Sequence, residues 1–240
     1  MVVSIIIAAA LSVVFMFVRV TVGAKSTKGG VIACLLKALA SVGFIMIAVI
    51  AMYTTKVRNC SVFVLAGLVM GLIGDIVLDL KVIYAKTEEE GIYLTGGMAS
   101  FGIGHIFYFV AMIIYFSGTL KWSHVGICIA VAAVVAFAII FGGEKLLKLN
   151  FGKFIVHSVI YAFILLFMTA IGITAWVVCK PVNAHVPLLS VGFILFLLSD
   201  LVLTQMYFGG RPNDKTLCVI NHTLYYAAQI CIASFVFFMA

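Results

Sequence analysis

Three aspartates lie inside hydrophobic segments that are long enough to cross a lipid bilayer. Asp75 and Asp79 belong to the segment LVMGLIGDIVLDL, and Asp200 belongs to VGFILFLLSDLVLTQMYF. A carboxylate at the centre of a membrane costs at least about 3 kcal/mol on insertion scales, so such residues face a protein interior or a water-filled cavity. We therefore interpret each of the three as a candidate functional group.

The rest of the chain is as apolar as these segments. Of its 240 residues, 65% are hydrophobic and 10% are charged, whereas soluble domains have about 25% charged residues. Apolar runs of about 20 residues recur, as in transmembrane helices, without the alternation of a β-barrel. The sequence predicts an all-α integral membrane protein, a single polytopic domain over residues 1–240 with about eight helices. The predicted spans are 2–21, 31–53, 60–80, 97–117, 122–142, 154–178, 185–207 and 217–239.

Small and polar residues between and within the spans refine this prediction. Gly67 and Gly71 form a GxxxG motif that Gly74 continues, and this spacing predicts that the third span approaches a neighbour closely. The polar stretch 81–96, with three successive glutamates, is typical of a solvated loop.

The six cysteines are widely spaced without a CxxC motif, which favours a role as small apolar residues that fill space over disulfides or metal ligands.

The basic residues predict the orientation in the membrane. The net charge is +7, but the cations are scattered through short loops, so we expect no nucleic-acid partner. The bilayer is an expected partner, and no protein partner is predicted. Ten Lys and Arg follow spans one, three, five and seven, and four follow spans two, four and six. The positive-inside rule then places the ten-charge side in the cytoplasm and both termini on the other side.

Most polar residues within the spans lie at one depth. Because a helix rises 1.5 Å per residue, the distance to the span end gives the depth, and the polar set falls roughly 5–12 Å below the ten-charge face. The opposite half has little comparable, mainly Ser4 and Ser41. The layer comprises Lys37, Asp75, Asp79, His105, His157, Asp200, Asn221 and His222.

Helical periodicity predicts that these residues share faces. We therefore expect several helices to present polar groups to one cavity that opens to the cytoplasmic side. The predicted faces are Gly71 with Asp75 and Asp79, His105 with Tyr108, Phe193 and Phe196 with Asp200 and Thr204, and His222 with Tyr225, Gln229 and the adjacent Tyr226.

Simpler interpretations exist for some members of this set. Lys37 could snorkel to the interface, and Asp79 could lie among the headgroups at the end of its helix. Tyr225 and Tyr226 could belong to an interfacial aromatic belt. Asp75, Asp200 and His105 are too deep for such roles.

Four segments in this order resemble the YhhN/lysoplasmalogenase family of multispan membrane proteins: GLIGDIVL, FGIGHIFYFVAM, FLLSDLVL and NHTLYYAAQI. The resemblance implies eight helices and a hydrolase of the vinyl ether bond in lysoplasmalogens. Its products would be a fatty aldehyde and a glycerophospho-alcohol, and its substrate a lysophospholipid. The matching residues are Gly74 with Asp75, His105 with Tyr108, Ser199 with Asp200, Tyr225 and Tyr226 with Gln229, and Lys37.

The chemistry of this reaction suits the polar layer. Protonation of a vinyl ether leaves an oxocarbenium ion, so the enzyme needs a proton donor and a negative group, as glycosidases do. We expect Asp75 and Asp200 to be this pair and His105 or His222 to activate water, with no cofactor and no metal. The substrate phosphate would be drawn to Lys37 or Arg211. The expected supporting residues are Lys37, Asp79, Tyr108, Ser199, Asn221, His222, Tyr225, Tyr226 and Gln229.

Two other functions stay open at this point. A zinc-dependent lipid hydrolase could use the three histidines and three aspartates of the layer, although the sequence contains no HExxH motif. A transporter could use the carboxylates as a proton relay, although the opposite half of the membrane offers no matching polar path.

Overall fold

The computed structural model describes residues 1–23, 26–56, 59–83, 90–146, 148–212 and 214–239. In this part of the chain eight helices are long and apolar enough to cross a membrane, and there is no strand. The prediction of an all-α integral membrane protein is therefore confirmed. The helices are α1 (Val2–Val18), α2 (Thr27–Thr55), α3 (Ser61–Ile83), α4 (Glu90–Tyr115), α5 (Trp122–Leu146), α6 (Ile155–Cys179), α7 (Val186–Phe208) and α8 (Lys215–Phe235).

Several helices extend beyond the predicted spans into polar sequence. α2 begins at Thr27, where the Ser26 side chain accepts a hydrogen bond from the backbone N–H of Gly29 and caps the helix. Much of the predicted loop 81–96 is also helical, because α3 runs to Ile83 and α4 begins at Glu90. Hydropathy marks the part of a helix in hydrocarbon, whereas backbone hydrogen bonding continues into the headgroup region. The remaining residues of that loop, 84–89, lie outside the described residues.

The first helix ends within two residues of the predicted span 2–21. A π-helical segment, Arg19–Gly23, continues α1, so Arg19, which was counted among the loop charges, is part of a helix. Its guanidinium group forms an ion pair with Asp79. The positive-inside rule counts cations near the span ends whether or not they are helical, so the predicted orientation is unchanged. π-helical turns are frequent at functional sites.

The close approach predicted for the glycines of α3 is confirmed. A Cβ atom at Gly67 would overlap the ring of Tyr108, and one at Gly74 would lie 2.8 Å from the ring of Phe101, both on α4. At Gly71 it would lie 2.7 Å from Nε2 of Gln229 on α8. Small residues thus let α3 pack closely against two helices.

α8 lies at the centre of the polar layer. It packs against α1, α2, α3 and α7, and α6 joins α7 from the other side. The polar side chains of α8 are buried at these contacts, including Asn221, His222, Tyr225 and Gln229. This arrangement encloses the polar groups of five helices away from lipid.

Candidate functional site

A cluster of four charged groups links α1, α2 and α3. The Nζ of Lys37 lies 3.3 Å from Oδ1 of Asp75 and 3.2 Å from Oδ1 of Asp79, and these side chains are 6%, 2% and 3% exposed. The Nη1 of Arg19 lies 3.3 Å from Oδ2 of Asp79. Buried charges persist when they are paired in this way. Lys37 therefore does not snorkel, and the side chain of Asp79 is buried in the protein rather than exposed at the end of its helix.

Two hydroxyl groups complete the surroundings of Asp75. Ser41 donates a hydrogen bond of 2.5 Å to Oδ2, and Tyr225 donates one of 2.7 Å to the same oxygen. Ser41 was expected in the opposite half of the membrane, and that expectation is wrong. α2 has 29 residues, more than the roughly 20 that a bilayer requires, so counting from its end misjudges the depth of Ser41.

A chain of hydrogen bonds connects Asp75 to α4 through α8. The Tyr108 hydroxyl donates to Oε1 of Gln229 at 3.1 Å. The Nε2 of Gln229 donates to the Tyr225 hydroxyl at 3.2 Å, and Tyr225 donates to Asp75. The chain fixes the direction of the Tyr225 hydroxyl, so Asp75 receives a preorganised donor.

Tyr225 and Tyr226 are buried side by side and do not form an interfacial belt. Their exposed fractions are 5% and 2%, and their ring centroids are 5.1 Å apart. The Tyr226 hydroxyl donates to the backbone carbonyl of Lys37 at 3.3 Å. Tyr226 therefore ties α8 to α2 beside the charged cluster.

Asp200 has very different surroundings. The Tyr161 hydroxyl of α6 donates to Oδ2 of Asp200 at 2.5 Å. The Thr204 hydroxyl donates to the backbone carbonyl of Asp200 at 2.8 Å and leaves the carboxyl group alone. Across the described residues, no Lys or Arg forms an ion pair with Asp200. Sequence reasoning missed Tyr161, although its position seven residues after the start of the predicted span at 154 places it roughly 10 Å deep, within the polar layer.

Two cavities meet at Asp200. The polar cavity has a volume of about 110 Å³ and the apolar cavity one of about 480 Å³. Asp75 and Asp200 both line the polar cavity, so the two carboxyl groups face the same space. Other polar residues that line it are Arg19, Lys37, Asp79, Ser199, Tyr207, Asp214, Lys215, Asn221, His222 and Tyr225.

His222 contributes an imidazole ring to the polar cavity. Its Nδ1 lies 2.7 Å from the backbone carbonyl of Cys218, which can only accept a hydrogen bond, so Nδ1 carries the proton. In the neutral ring Nε2 is then a free acceptor. The ring packs edge-on against Phe15, with centroids 4.9 Å apart.

His105 is placed differently from the expectation. It lines neither the polar nor the apolar cavity. Its Nδ1 lies 2.8 Å from the carbonyl of Phe101, and its ring packs against Phe196 with centroids 4.4 Å apart. Phe196 in turn contacts Tyr225. His105 has the right depth, but its face of α4 points to this aromatic cluster.

Ser199 and Asn221 join α7 to α8 next to the cavity. The Nδ2 of Asn221 donates to the carbonyl and to Oγ of Ser199, at 2.9 and 3.0 Å. The Ser199 hydroxyl donates to the Asn221 carbonyl at 3.1 Å. This reciprocal pair fixes the relative positions of the adjacent residues, Asp200 and His222.

The described residues assemble no metal-binding cluster of three His, Cys, Asp or Glu side chains. The six cysteines are free. His157, expected in the polar layer, is exposed on α6. The zinc-dependent alternative therefore lacks an assembled set of ligands among the residues that the structure describes.

The chain matches a known family over most of its length. No curated protein and no solved structure matches the chain significantly. A sequence profile of the YhhN family matches residues 32–236. The match includes every candidate residue from Lys37 to Gln229 and begins after Arg19. This chain belongs to the YhhN family.

Proposed function

We propose that this protein is an intramembrane hydrolase that cleaves the vinyl ether bond of lysoplasmalogens. The products are a fatty aldehyde and a glycerophospho-alcohol. Family membership supports this reaction class. The observation that carries the proposal is the pair of carboxyl groups, Asp75 and Asp200, that face one polar cavity from opposite electrostatic surroundings.

Hydrolysis of a vinyl ether begins with slow proton transfer to the β carbon of the double bond. The electrons of that bond form the new C–H bond, and the carbon attached to oxygen becomes an oxocarbenium ion. Water adds to this carbon and loses a proton, and the resulting hemiacetal collapses to an aldehyde and an alcohol. The site must supply an acid, a negative charge and a base for the water.

Asp200 is the proton donor in this scheme. It lies against an apolar cavity, and a buried carboxyl group without a cationic partner favours its neutral form. Tyr161 donates to Oδ2, which leaves Oδ1 to carry the proton. Transfer of that proton to the substrate leaves a carboxylate that the Tyr161 hydroxyl stabilises.

Asp75 is the negative group. It accepts hydrogen bonds from Ser41 and Tyr225 and pairs with Lys37, and each of these contacts favours the carboxylate. A fixed carboxylate that faces the cavity stabilises the oxocarbenium ion without rearrangement.

His222 is the base that activates water. Its Nε2 is a free acceptor and its ring lines the polar cavity. It takes a proton from the water that adds to the oxocarbenium ion. When the hemiacetal collapses, the proton of its hydroxyl group returns to Asp200. The proton on the His222 imidazolium passes to the departing alkoxide, so Asp200 and His222 are both restored to their starting forms.

The cations of the polar cavity differ in their availability to a phosphate. Lys37 is committed to two carboxylates, whereas Arg19 is 11% exposed and, among the described residues, forms an ion pair only with Asp79. Lys215 also lines the cavity, but it is exposed. Arg211 does not line the cavity and pairs with Asp214 at 2.6 Å. The backbone N–H of Leu217 and Arg211 together hold the pKa of Asp214 below its usual range. Of the two cations that line the cavity with largely buried side chains, Arg19 is therefore the better placed to bind the substrate phosphate.

The Lys and Arg residues near the span ends, ten on one side against four on the other, support an orientation in which the polar cavity serves the cytoplasmic leaflet. Both termini would then be non-cytoplasmic. Labelling of cysteines introduced at the two ends tests this. If an impermeant reagent modified both ends only from the cytoplasmic side, the orientation would be the opposite of the proposed one.

The proposed reaction is tested with purified protein in detergent. A lysoplasmalogen and its saturated ether analogue are incubated separately, and aldehyde release is measured. We expect aldehyde from the vinyl ether alone. The absence of aldehyde would contradict the proposal, and release of fatty acid from an acyl lysolipid instead would indicate another lipid hydrolase. Turnover in detergent, without a gradient, would also argue against a transporter.

A further inference from the structure

The apolar cavity shares a wall with the polar cavity at the candidate proton donor. Residues that line both are Leu78, Phe101, Asp200, Leu203 and Tyr207. We propose that the apolar cavity holds the hydrocarbon chain of a single-chain lipid, with its headgroup in the polar cavity and its scissile bond at Asp200. This inference rests on the proposed function and deepens it, because it assigns the chain-binding subsite.

The volume of the apolar cavity fits one chain. The apolar cavity has a volume of about 480 Å³, more than four times that of the polar cavity, so it has room for a long run of methylene groups. This is the size of one long fatty chain. A lipid with two such chains would have to leave one outside. The cavity therefore selects single-chain substrates by volume.

The lining of the cavity is mostly apolar with a few polar side chains. Leu94, Leu165 and Leu197 supply apolar walls from α4, α6 and α7. Tyr161, which donates to Asp200, and Ser158, one turn earlier on the same face of α6, are two of the polar residues. This polarity matches a lipid whose chain begins at an ether oxygen.

Ser158 supports a ligand with a polar atom in this cavity, because its hydroxyl group is buried and unpaired. Its side chain is 4% exposed, and its Oγ has no hydrogen-bond partner in the described structure. Buried hydroxyls are rarely left unpaired. A polar atom at the head of the bound chain, such as the ether oxygen, would supply the partner.

Chain length is the variable that tests this assignment. Burial of each additional methylene strengthens binding by about fourfold. KM for lysoplasmalogens should therefore fall with chain length and level off near the capacity of the cavity. The saturated ether analogues, which lack the reactive double bond, should bind with the same dependence.

Ala162 of α6 offers a matched pair of variants. It lines the apolar cavity, and Ala162→Leu removes room for about three methylene groups. Ala133→Leu makes the same change on the exposed face of α5, away from both cavities. We expect Ala162→Leu to raise KM at least about tenfold for substrates with long chains and to leave KM for substrates with short chains unchanged. Ala133→Leu should leave KM unchanged for both.

A variant in the opposite direction covers the case in which Ala162→Leu fails to fold. Leu166→Ala enlarges the same cavity and should move the plateau in KM to longer chains. The assignment would be overturned if both cavity variants changed KM by the same factor at every chain length. It would also be overturned if neither variant changed KM.

The experiment separates this inference from the reaction itself. If the wild-type protein releases no aldehyde but binds saturated ether lipids with a chain-length dependence that Ala162→Leu alters, the hydrolase proposal fails and the chain-binding subsite stands. If aldehyde is released with no chain-length dependence, the subsite fails and the hydrolase stands.

Discussion

The two aspartates that face the polar cavity differ in nearly everything except depth. Asp75 contacts a lysine and two hydroxyls from α2 and α8. In the described part of the chain, the side chain of Asp200 receives one hydrogen bond, from Tyr161 of α6, and Asp200 borders the apolar cavity. A carboxylate is favoured in the first environment and a neutral carboxylic acid in the second. The chemistry of the site therefore arises from the contrast between its two sides.

The two sides also differ in how firmly they are held. Asp75 belongs to a network in which Arg19, Lys37 and Asp79 join three helices. Asp200 depends on a single side-chain contact. We therefore expect changes on the Asp75 side to affect both stability and activity, and changes on the Asp200 side to affect activity alone.

The largest expected effect comes from Asp200→Asn. The amide keeps the shape of the side chain and can still accept the hydrogen bond from Tyr161, but it cannot donate a proton to carbon. Aldehyde release should fall by at least the 10²–10⁴-fold that is typical of general acids, with an unchanged melting temperature. Near-normal turnover of this variant would remove Asp200 from the mechanism.

Lys37→Met tests the stability of the other side. It leaves the buried carboxylates of Asp75 and Asp79 without their shared cation, and loss of one partner from a buried ion pair costs about 3–5 kcal/mol. The melting temperature in detergent should fall sharply. Addition of Asp75→Asn should restore part of the loss without restoring activity. A melting temperature equal to that of the wild type would show that the network is not a stabilising one.

A pair of tyrosine variants sharpens the comparison further. Tyr161→Phe removes the one donor to the side chain of Asp200 and should lower kcat about tenfold, which corresponds to one hydrogen bond of about 1.4 kcal/mol. Tyr225→Phe leaves Asp75 with Ser41 and Lys37, so its effect on kcat should be smaller and its effect on melting temperature larger. The reverse order of the two kcat values would break the proposed division of roles.

Arg19→Gln should have the smallest effect. Asp79 keeps its contact with Lys37, so the fold should persist, while the phosphate loses its best-placed cation. We expect KM to rise a few-fold with kcat unchanged, since this contact is the same in the ground and transition states. Lys180→Gln, an exposed cation that lines neither cavity, is the comparison and should leave KM unchanged. A fall in kcat for Arg19→Gln would mean that Arg19 acts on the reacting centre through Asp79.

Hydropathy and helical rise predicted the helices and the shared depth of most polar residues, because both follow from the thickness of the bilayer. In this way the sequence placed Lys37, Asp75 and Asp79 in the polar layer. It did not predict their contacts with one another, because depth along a helix does not show which helix lies beside it. Ser41 was misplaced because it lies on an overlong helix. Arg19 was counted with the loop charges but lies on a π-helical extension of α1, inside the predicted span 2–21.

The aromatic residues show a second limit of sequence reasoning. Tyr161 lies at the right depth, but a tyrosine in an apolar segment is as typical of a core as of a site. Its three-residue spacing from Ser158 is the signal that could have identified it. His105 was the opposite case, a polar residue at the right depth whose side chain packs against Phe196.

The contrast between the two carboxyl groups is tested most directly by infrared difference spectroscopy of the substrate-free protein. The carbonyl stretching band of a protonated carboxylic acid is compared among the wild type, Asp200→Asn and Asp75→Asn at neutral pH. We expect this band to disappear in Asp200→Asn and to persist in Asp75→Asn. Loss of the band in Asp75→Asn, or no change in Asp200→Asn, would contradict the assignment of Asp200 as the proton donor.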